Sequence, residues 1–140
     1  MSADEMEIFS HDWSLALGSA LNASEAYRKA AGDWEGSLVF ALRRPEGSEE
    51  IGTYLNLGGG ICREARQATP GDVEGADYLL RADARTWRRL LAGETDPIFA
   101  IMTGKLELAR GGVAGLLPHA AAAQQLVQTA AALGGRFPEA

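Results

Sequence analysis

Two histidines and one cysteine are the side chains of this sequence best suited to nucleophilic or metal chemistry. Nucleophilic catalysis needs a serine or cysteine within reach of a histidine that a third group orients. His11 and His119 each lie near the start of a predicted helix, and neither has such a motif around it. Asp12 follows His11 directly, and no second imidazole is close enough in the sequence to complete a metal site. The sequence therefore predicts no enzymatic activity, no bound metal and no cofactor.

The only cysteine, Cys62, excludes an internal disulfide and a Cys-x-x-Cys redox pair. Three glycines at 58–60 precede it and have the composition of a phosphate-binding loop. Such a loop should open a helix, whereas residues 61–64 continue with the alternation of a strand, so we predict a hairpin turn. Arg63 would point to the strand face opposite Cys62, and a lowered thiol pKa is therefore not expected.

Charged side chains form two local groups. The carboxylate pair at 49–50 lies in a polar turn over 45–50, which is typical of a solvated loop. Three arginines, Arg85, Arg88 and Arg89, take one side of a predicted helix. Their simplest interpretation is a solvated helix face. The alternative is that Arg88 and Arg89 form a rim that meets an anionic head group, such as a carboxylate or a phosphate.

The whole chain has 140 residues, of which 46% are hydrophobic, and a net charge of -6. This length and balance are typical of one folded domain. Because nucleic acids and anionic membrane surfaces attract cations, the acidic charge argues against both as partners. No run of 18 apolar residues is present, and the acidic N-terminus does not resemble a secretory signal. We therefore expect a cytoplasmic protein that binds no nucleic acid and does not insert stably into membranes.

The elements that position these residues follow from hydrophobic periodicity. Helical spacing predicts one helix over 11–31, or two shorter helices, because Asn-Ala-Ser at 22–24 weakens its middle. Alternation then predicts four strands, and their short links favour antiparallel hairpins. The strands lie near 38–42, 53–57, 61–67 and 78–82, with Pro-Gly-Asp at 70–72 predicted as a break.

The C-terminal part returns to helical spacing. Its elements are a helix at 87–91, a short helix at 98–102, a strand at 105–110 and a long Ala-rich helix at 113–133. Pro118 should kink or split the last helix. The prediction is therefore a single α+β domain over 1–140, with frayed ends at about 1–8 and 134–140.

Several short motifs follow one another between residue 78 and about residue 117. They are Thr86-Trp87, Leu90-Leu91 with Gly93, Asp96-Pro97 with Phe99, and Met102-Thr103-Gly104-Lys105-Leu106 with Gly111. The Met-x-Gly-Lys-Leu core, at this distance after a Gly-x-x-Asp-Pro turn, resembles the sterol carrier protein 2 (SCP2) family of lipid-binding domains, in a bacterial, stand-alone form. Upstream, the order of helix and strands is also what the family requires.

The resemblance implies a five-stranded, largely antiparallel sheet with helices covering one face and an apolar tunnel between the layers. It implies non-enzymatic binding or carriage of a hydrophobic ligand, such as a fatty acid, an acyl-CoA, a polyprenyl compound or another lipid. The expected cavity wall consists of Trp87, Leu90, Leu91, Ile98, Phe99, Met102, Thr103, Leu106 and Leu108. Family members often carry a polar amide at the position of Thr103, so the ligand polarity at that point is open.

The same apolar residues also fit a domain with a filled core, since periodicity cannot distinguish a filled interior from a hollow one. In that alternative the chain is a structural or dimerisation module that scaffolds a partner enzyme. The last helix, with alanines at 120–123 and 130–132, suits close helix packing in a homodimer. At the level of the sequence both alternatives stay open.

Overall fold

The computed structural model describes residues 6–43 and 50–137, which form seven α-helices and five β-strands. The helices are α1 (His11–Asn22), α2 (Glu25–Ala31), α3 (Pro70–Gly75), α4 (Ala84–Leu91), α5 (Pro97–Met102), α6 (Val113–Leu116) and α7 (Ala120–Leu133). The strands are β1 (Gly36–Leu42), β2 (Ile51–Gly58), β3 (Ile61–Gln67), β4 (Tyr78–Ala82) and β5 (Glu107–Arg110). None of these helices is long and apolar enough to cross a membrane. Except for Glu50, the predicted polar turn at 45–50 lies outside the described residues.

The five strands form one mixed sheet in the order β3-β2-β1-β4-β5. Three neighbouring pairs are antiparallel, and the pair β1–β4 is parallel. The predicted α+β fold with a largely antiparallel sheet is therefore confirmed, whereas the predicted hairpin from β3 to β4 is wrong. The reason is that β3 lies at one edge of the sheet, and α3 carries the chain back past β1. Because parallel strands need such a crossover, β4 then enters beside β1 in the same direction.

Helix α3 is the element that the sequence analysis missed. The Thr69 hydroxyl accepts a hydrogen bond from the Asp72 N–H at 3.2 Å, and the Asp72 carboxylate accepts one from the Thr69 N–H at 2.7 Å. This reciprocal pair is a capping box, and Pro70 suits the first helical position because no N–H is needed there. The predicted break at 70–72 is therefore a helix start. The apolar cluster on this face of the sheet consists of Val39, Ala41, Ala76 and Leu79, with Val73 of α3 packed against it.

The main core lies between the opposite face of the sheet and the remaining helices. Alternate residues of β1 point into it, namely Leu38, Phe40 and Leu42. Helix α1 contributes Trp13, Leu17 and Leu21, which are fully buried. Within this core the centre of the Phe9 ring lies 5.6 Å from the centre of the Trp13 ring and 5.4 Å from the centre of the Trp87 ring, and both contacts are edge to face. Helices therefore cover mainly one face of the sheet, as predicted.

Both long helical segments of the sequence are divided. The Ser24 hydroxyl accepts a hydrogen bond from the Tyr27 N–H at 3.0 Å and so caps α2. Of the two alternatives for residues 11–31, the one with two shorter helices is correct. Pro118 lies in a short 3-10 helix, Leu117–His119, between α6 and α7. Since proline lacks the N–H that an uninterrupted α-helix needs, the predicted split at Pro118 is confirmed.

Residues near the two ends of the chain pair with each other. The Ile8 N–H donates to the Arg136 carbonyl at 2.7 Å, and the Arg136 N–H donates to the Met6 carbonyl at 2.9 Å. The indole N–H of Trp13 donates to the Gly134 carbonyl at 2.8 Å. Backbone groups of Met6, Ile8, Gly134 and Arg136 therefore have partners within the fold. The remainder of the two predicted frayed segments lies outside the described residues.

Candidate functional site

Two short helices, α4 and α5, carry most of the predicted cavity wall, and an aspartate caps the start of each. The Asp83 carboxylate accepts a hydrogen bond from the Thr86 N–H at 2.8 Å, and the Asp96 carboxylate accepts one from the Phe99 N–H at 3.0 Å. These side chains satisfy backbone donors that have no partner within the first helical turn. Gly104 follows α5 with a φ of 79°, where glycine is favoured. Local residues thus fix where both helices begin and where α5 ends.

Three of the nine predicted wall residues belong to the buried core. Trp87, Leu90 and Leu106 are each 1% exposed. The indole N–H of Trp87 donates to the Ala41 carbonyl at 2.9 Å, and its ring lies 5.3 Å from that of Phe40. Because the polar atom of Trp87 is satisfied by β1, this side chain anchors α4 to the centre of the sheet.

The other six wall residues are half-buried or exposed. Leu91, Ile98 and Leu108 are half-buried against the core, and Thr103 is exposed. Phe99 is 61% exposed and Met102 is 67% exposed, although both belong to a helix whose Ala100 is buried. Residues three apart share one side of a helix, so Phe99 and Met102 point to solvent together. The structure therefore divides the predicted wall into a buried layer, a half-buried layer and an exposed layer.

A cavity of about 400 Å³ opens between the ends of β1 and β4 and helices α4 and α5. Its charged lining residues are Arg43, Asp83, Arg85, Arg89 and Lys105, and its apolar lining residues are Phe99 and Ala100. We call it the cationic cavity. It lies beside the exposed layer of the predicted wall, since Phe99 belongs to both.

Parallel pairing of β1 and β4 assembles the cationic cavity. The Arg43 N–H donates to the Ala82 carbonyl at 2.8 Å, immediately beyond the two strands. Since the carboxyl ends of parallel strands meet at one edge of the sheet, Arg43 comes close to Asp83. The backbone hydrogen bond from Thr86, together with the positive charges of Arg43 and Arg85, holds the pKa of the Asp83 carboxyl below its usual value. The aspartate is therefore anionic at neutral pH.

The two arginines of the predicted head-group rim lie at different cavities. Arg89 lines the cationic cavity, whereas Arg88 lines a separate cavity of about 210 Å³. There the Arg88 guanidinium carbon lies 5.3 Å from the centre of the Phe137 ring. Adjacent residues on a helix point about 100° apart, which accounts for the separation. No local sequence pattern joins Arg43 and Lys105 to Arg89, because the three meet only through the β1–β4 pairing and the chain segment that leaves α5.

A further cavity of about 310 Å³ lies on the other side of the segment that links α4 to α5. Leu90, Pro97 and Val127 are among its lining residues, and Thr95 lines both this cavity and the cationic cavity. The link between the two short helices is therefore bordered by an opening on each side. A hydrogen bond of 2.7 Å from the Gln124 amide to the Asp96 carboxylate ties the start of α5 to α7.

Two of the three side chains considered for catalysis, Cys62 and His119, are packed against other residues. Burial raises the pKa of the Cys62 thiol to about 11, so the thiol is protonated at neutral pH. The His119 ring is stacked on that of Trp34, with centres 5.4 Å apart and planes 15° apart. Within 6–43 and 50–137, no three His, Cys, Asp or Glu side chains are grouped as a metal site would require.

Comparison with known proteins identifies the family. A family model described as the SCP-2 sterol transfer family matches residues 17–109, which include α4, α5 and most of the sheet. The chain belongs to the SCP-2 sterol transfer family. The resemblance that the motifs between residues 78 and 117 indicate is thereby confirmed. Because SCP2 domains in general bind lipids and are not catalytic, membership associates this chain with lipid binding or transfer.

Solved structures agree with this assignment. A crystal structure of sterol carrier protein 2 is 40% identical, covers 91% of this chain and 100% of that chain, and superposes with a TM-score of 0.83. The solution structure of a conserved hypothetical protein from Thermus thermophilus, described as possibly a sterol carrier protein, is 39% identical. It covers 95% of this chain and 94% of that one, with a TM-score of 0.82.

A more distant structure shares the fold alone. The ubiquinone synthesis protein UbiJ-SCP2 is 18% identical, covers 81% of this chain and 86% of that chain, and has a TM-score of 0.50. A search of curated proteins finds no match. The family assignment therefore rests on the family model and on the two sterol carrier structures near 40% identity.

Proposed function

We propose that this protein binds and carries a hydrophobic ligand, without covalent chemistry, at the site formed by α4, α5 and the core beneath them. The observation that carries the proposal is the exposure of Phe99 and Met102 on a short helix flanked by two cavities. Clusters of exposed apolar side chains mark surfaces that meet a ligand or a partner. Family membership supports a lipid as that ligand.

The proposed wall comprises the nine predicted residues in the three layers described above. The buried layer forms the floor, the half-buried layer receives the apolar chain, and Phe99, Met102 and Thr103 of the exposed layer cover it. Helix α5 has only six residues, and it can move from α7 once the hydrogen bond between Gln124 and Asp96 is released. Such a movement would open the space between the half-buried residues to an acyl or polyprenyl chain.

The energetics favour this mode of binding. Burying an apolar chain contributes about 0.8 kcal/mol per CH₂, so a chain of about 16 carbons supplies roughly 13 kcal/mol before ordering costs. Micromolar or tighter affinity follows even when several kcal/mol are spent on ordering the ligand and α5. The buried positions of α5 are Pro97 and Ala100, and Ile98 and Ile101 are half-buried against the core, so the ligand tail must replace their contacts when the helix is displaced.

We place this carrier in the cytoplasm, where a single cysteine stays reduced. We assign it no catalytic step, because Cys62 is protonated and His119 is stacked on Trp34. In this proposal the protein contacts the tail of the ligand through apolar side chains only. The ligand is released when α5 moves away from α7 again.

Binding of a fluorescent fatty acid to the purified protein tests the proposal. We expect a Kd at or below about 10 μM, and we expect Phe99→Ser to weaken binding about tenfold, since it removes one large apolar side chain from the cover. Leu15→Ser is the matched control, because Leu15 is 47% exposed on α1, away from the site, and its loss should leave the Kd unchanged. Native mass spectrometry should also show a co-purifying lipid. The proposal fails if no lipid co-purifies and no fatty acid binds at tens of micromolar.

The alternative function is a structural or dimerisation module that scaffolds a partner enzyme. The Ala-rich composition of the last helix is its main support in the sequence. Ala122, Ala123 and Ala130 of α7 are buried in the chain's own main core, so this alanine face is already used within one molecule. A tight dimer in sedimentation experiments, together with the absence of any bound lipid, would favour this alternative.

A further inference from the structure

The cationic cavity concentrates positive charge on a protein whose net charge is -6. We propose that it binds the head group of the hydrophobic ligand and that this head group carries a phosphate. The inference rests on the lipid-binding function proposed above and narrows its ligand to a phosphate-headed amphiphile. Sterols, neutral polyprenyl compounds and free fatty acids are then weaker ligands.

The charge balance of the cavity fits a head group with about two negative charges. Its four cations are Arg43, Arg85, Arg89 and Lys105. Among the residues that the structure describes, they face two carboxylates, Asp83 in the lining and Glu107 paired with Arg43, so two of the four positive charges have no counter-charge within 6–43 and 50–137. A phosphate monoester carries about 1.5 to 2 negative charges at pH 7, whereas a fatty-acid carboxylate carries one. The phosphate is therefore the better match.

The cations of the cavity are available to a ligand. No carboxylate in the part of the chain that the structure describes lies within 4.0 Å of Arg85, Arg89 or Lys105. Arg43 lies 2.7 Å from Glu107, but the two side chains are 54% and 47% exposed. Because ion pairs at such exposure contribute little, Arg43 can exchange its partner for a phosphate. Three guanidinium groups also supply the planar, paired donors that phosphate oxygens accept.

The apolar part of the same cavity continues toward the proposed lipid site. Phe99 and Ala100 of α5 also line it, and Phe99 is the first residue of the proposed cover. A single molecule with a phosphate and an alkyl chain therefore contacts both surfaces. Asp83 does not compete for the position of the phosphate, since its carboxylate caps α4 through the Thr86 N–H at 2.8 Å.

Calorimetric titration with three ligands that share one tail tests this inference on the intact protein. The probes are decyl phosphate, decanoate and decanol, each used below its own aggregation concentration, with inorganic phosphate as a fourth. We expect decyl phosphate to bind about fivefold tighter than decanoate, and decanoate to bind tighter than decanol. The reason is that each negative charge of the ligand placed near a cation of the cavity increases the affinity about fivefold. Raising the salt concentration should reduce the preference for phosphate. Inorganic phosphate should bind at least about tenfold more weakly than decyl phosphate, since it lacks the buried tail.

Charge-removing variants test the location. Arg89→Gln should weaken decyl phosphate about fivefold while changing decanol less than about twofold. Arg88→Gln is the matched control, since Arg88 is an exposed arginine of the same helix that lines a different cavity, and it should leave both affinities unchanged. Arg85→Gln should repeat the effect of Arg89→Gln.

The outcomes separate this inference from the proposed function. Equal affinity for the three decyl compounds would overturn the phosphate site while leaving lipid binding intact. If inorganic phosphate binds as tightly as decyl phosphate, the cavity takes a free phosphate and not a lipid head group. Equal losses in Arg88→Gln and Arg89→Gln would show that the cavity does not hold the head group. Failure of every decyl compound to bind, with no co-purifying lipid, overturns both proposals.

Discussion

The two halves of the sheet are covered in different ways. Over β2 and β3, the 12-residue helix α1 buries Trp13, Leu17 and Leu21 completely. The chain between β4 and β5 forms α4, with eight residues, and α5, with six, and α5 leaves Phe99 and Met102 exposed. We call these the α1 half and the α5 half. The α1 half therefore contains more of the fully buried side chains, and the α5 half, with its exposed apolar side chains, is where we propose that the ligand binds.

The two halves also differ in their charges. In the α1 half, Arg66 donates to both Glu64 and Asp72, each at 3.0 Å, so its charge is compensated within the fold. In the α5 half, Arg85 and Arg89 face an open cavity without a carboxylate of the described residues within 4.0 Å. Paired charges stabilise a structure, whereas unpaired cations around a cavity are available to bind an anion.

Trp13→Ala should produce the largest loss of stability, because it opens a cavity in the α1 half. The side chain is fully buried, packs edge to face on Phe9 and donates to the Gly134 carbonyl. We expect the free energy of unfolding, measured by urea denaturation, to fall by about 3–5 kcal/mol. Leu15→Ala on the same helix, 47% exposed, should cost below about 1 kcal/mol. If the free energy of unfolding of Trp13→Ala falls by less than about 1 kcal/mol, the α1 half does not supply the main stability of the domain.

Asp72→Asn should change how stability depends on pH. The hydrogen bond from Arg66 lowers the pKa of Asp72 from 3.8 to about 2. Between these two pKa values the unfolded chain binds more protons than the folded protein. The ionised Asp72 carboxylate therefore contributes about 2 kcal/mol to the free energy of unfolding. This contribution is complete above the unfolded pKa and is lost as the pH falls through the folded pKa. The variant should therefore be less stable than the wild type at pH 6 and nearly equal to it at pH 2, as followed by thermal unfolding.

The control for this pH effect is Glu35→Gln, which removes an exposed ion pair with Arg63 at the same sheet edge. The side chains of this pair are 64% and 50% exposed, and such pairs contribute little. The variant should follow the wild-type pH profile throughout. A Tm difference between Asp72→Asn and the wild type that does not depend on pH would contradict the assigned pKa shift.

Met102→Ser should have the smallest effect on stability, and it tests whether the α5 half contributes to binding without contributing to stability. Met102 is 67% exposed, so we expect the free energy of unfolding to change by less than about 0.5 kcal/mol. Binding of a fluorescent fatty acid should nevertheless weaken, because the variant removes half of the apolar cover on α5. Loss of stability without loss of binding would mean that Met102 supports the fold and does not contact the ligand.

Much of the fold could be predicted because its signals are local. The strands at 38–42 and 78–82 follow from the alternation of apolar side chains, and the split at Pro118 follows from a missing N–H. The start of α3 was also encoded locally, by Thr69 and Asp72, although its Pro-Gly-Asp sequence favours a break. The parallel neighbour of β1 was not predicted, because no local period specifies which strand lies beside it.

The sequence by itself determined the α+β class, the two capped short helices and, through the Met-x-Gly-Lys-Leu core, membership of the SCP2 family. Tertiary structure alone decided that Phe99 and Met102 face solvent. Helical spacing places the two side chains on the same side of α5, but only the packing of α5 against α7 turns that side toward solvent. It also decided that Arg43 joins Arg89 in one cavity while Arg88 lies elsewhere. The reason is that a binding site depends on distances between segments, and those distances are set by the pairing of β1 with β4.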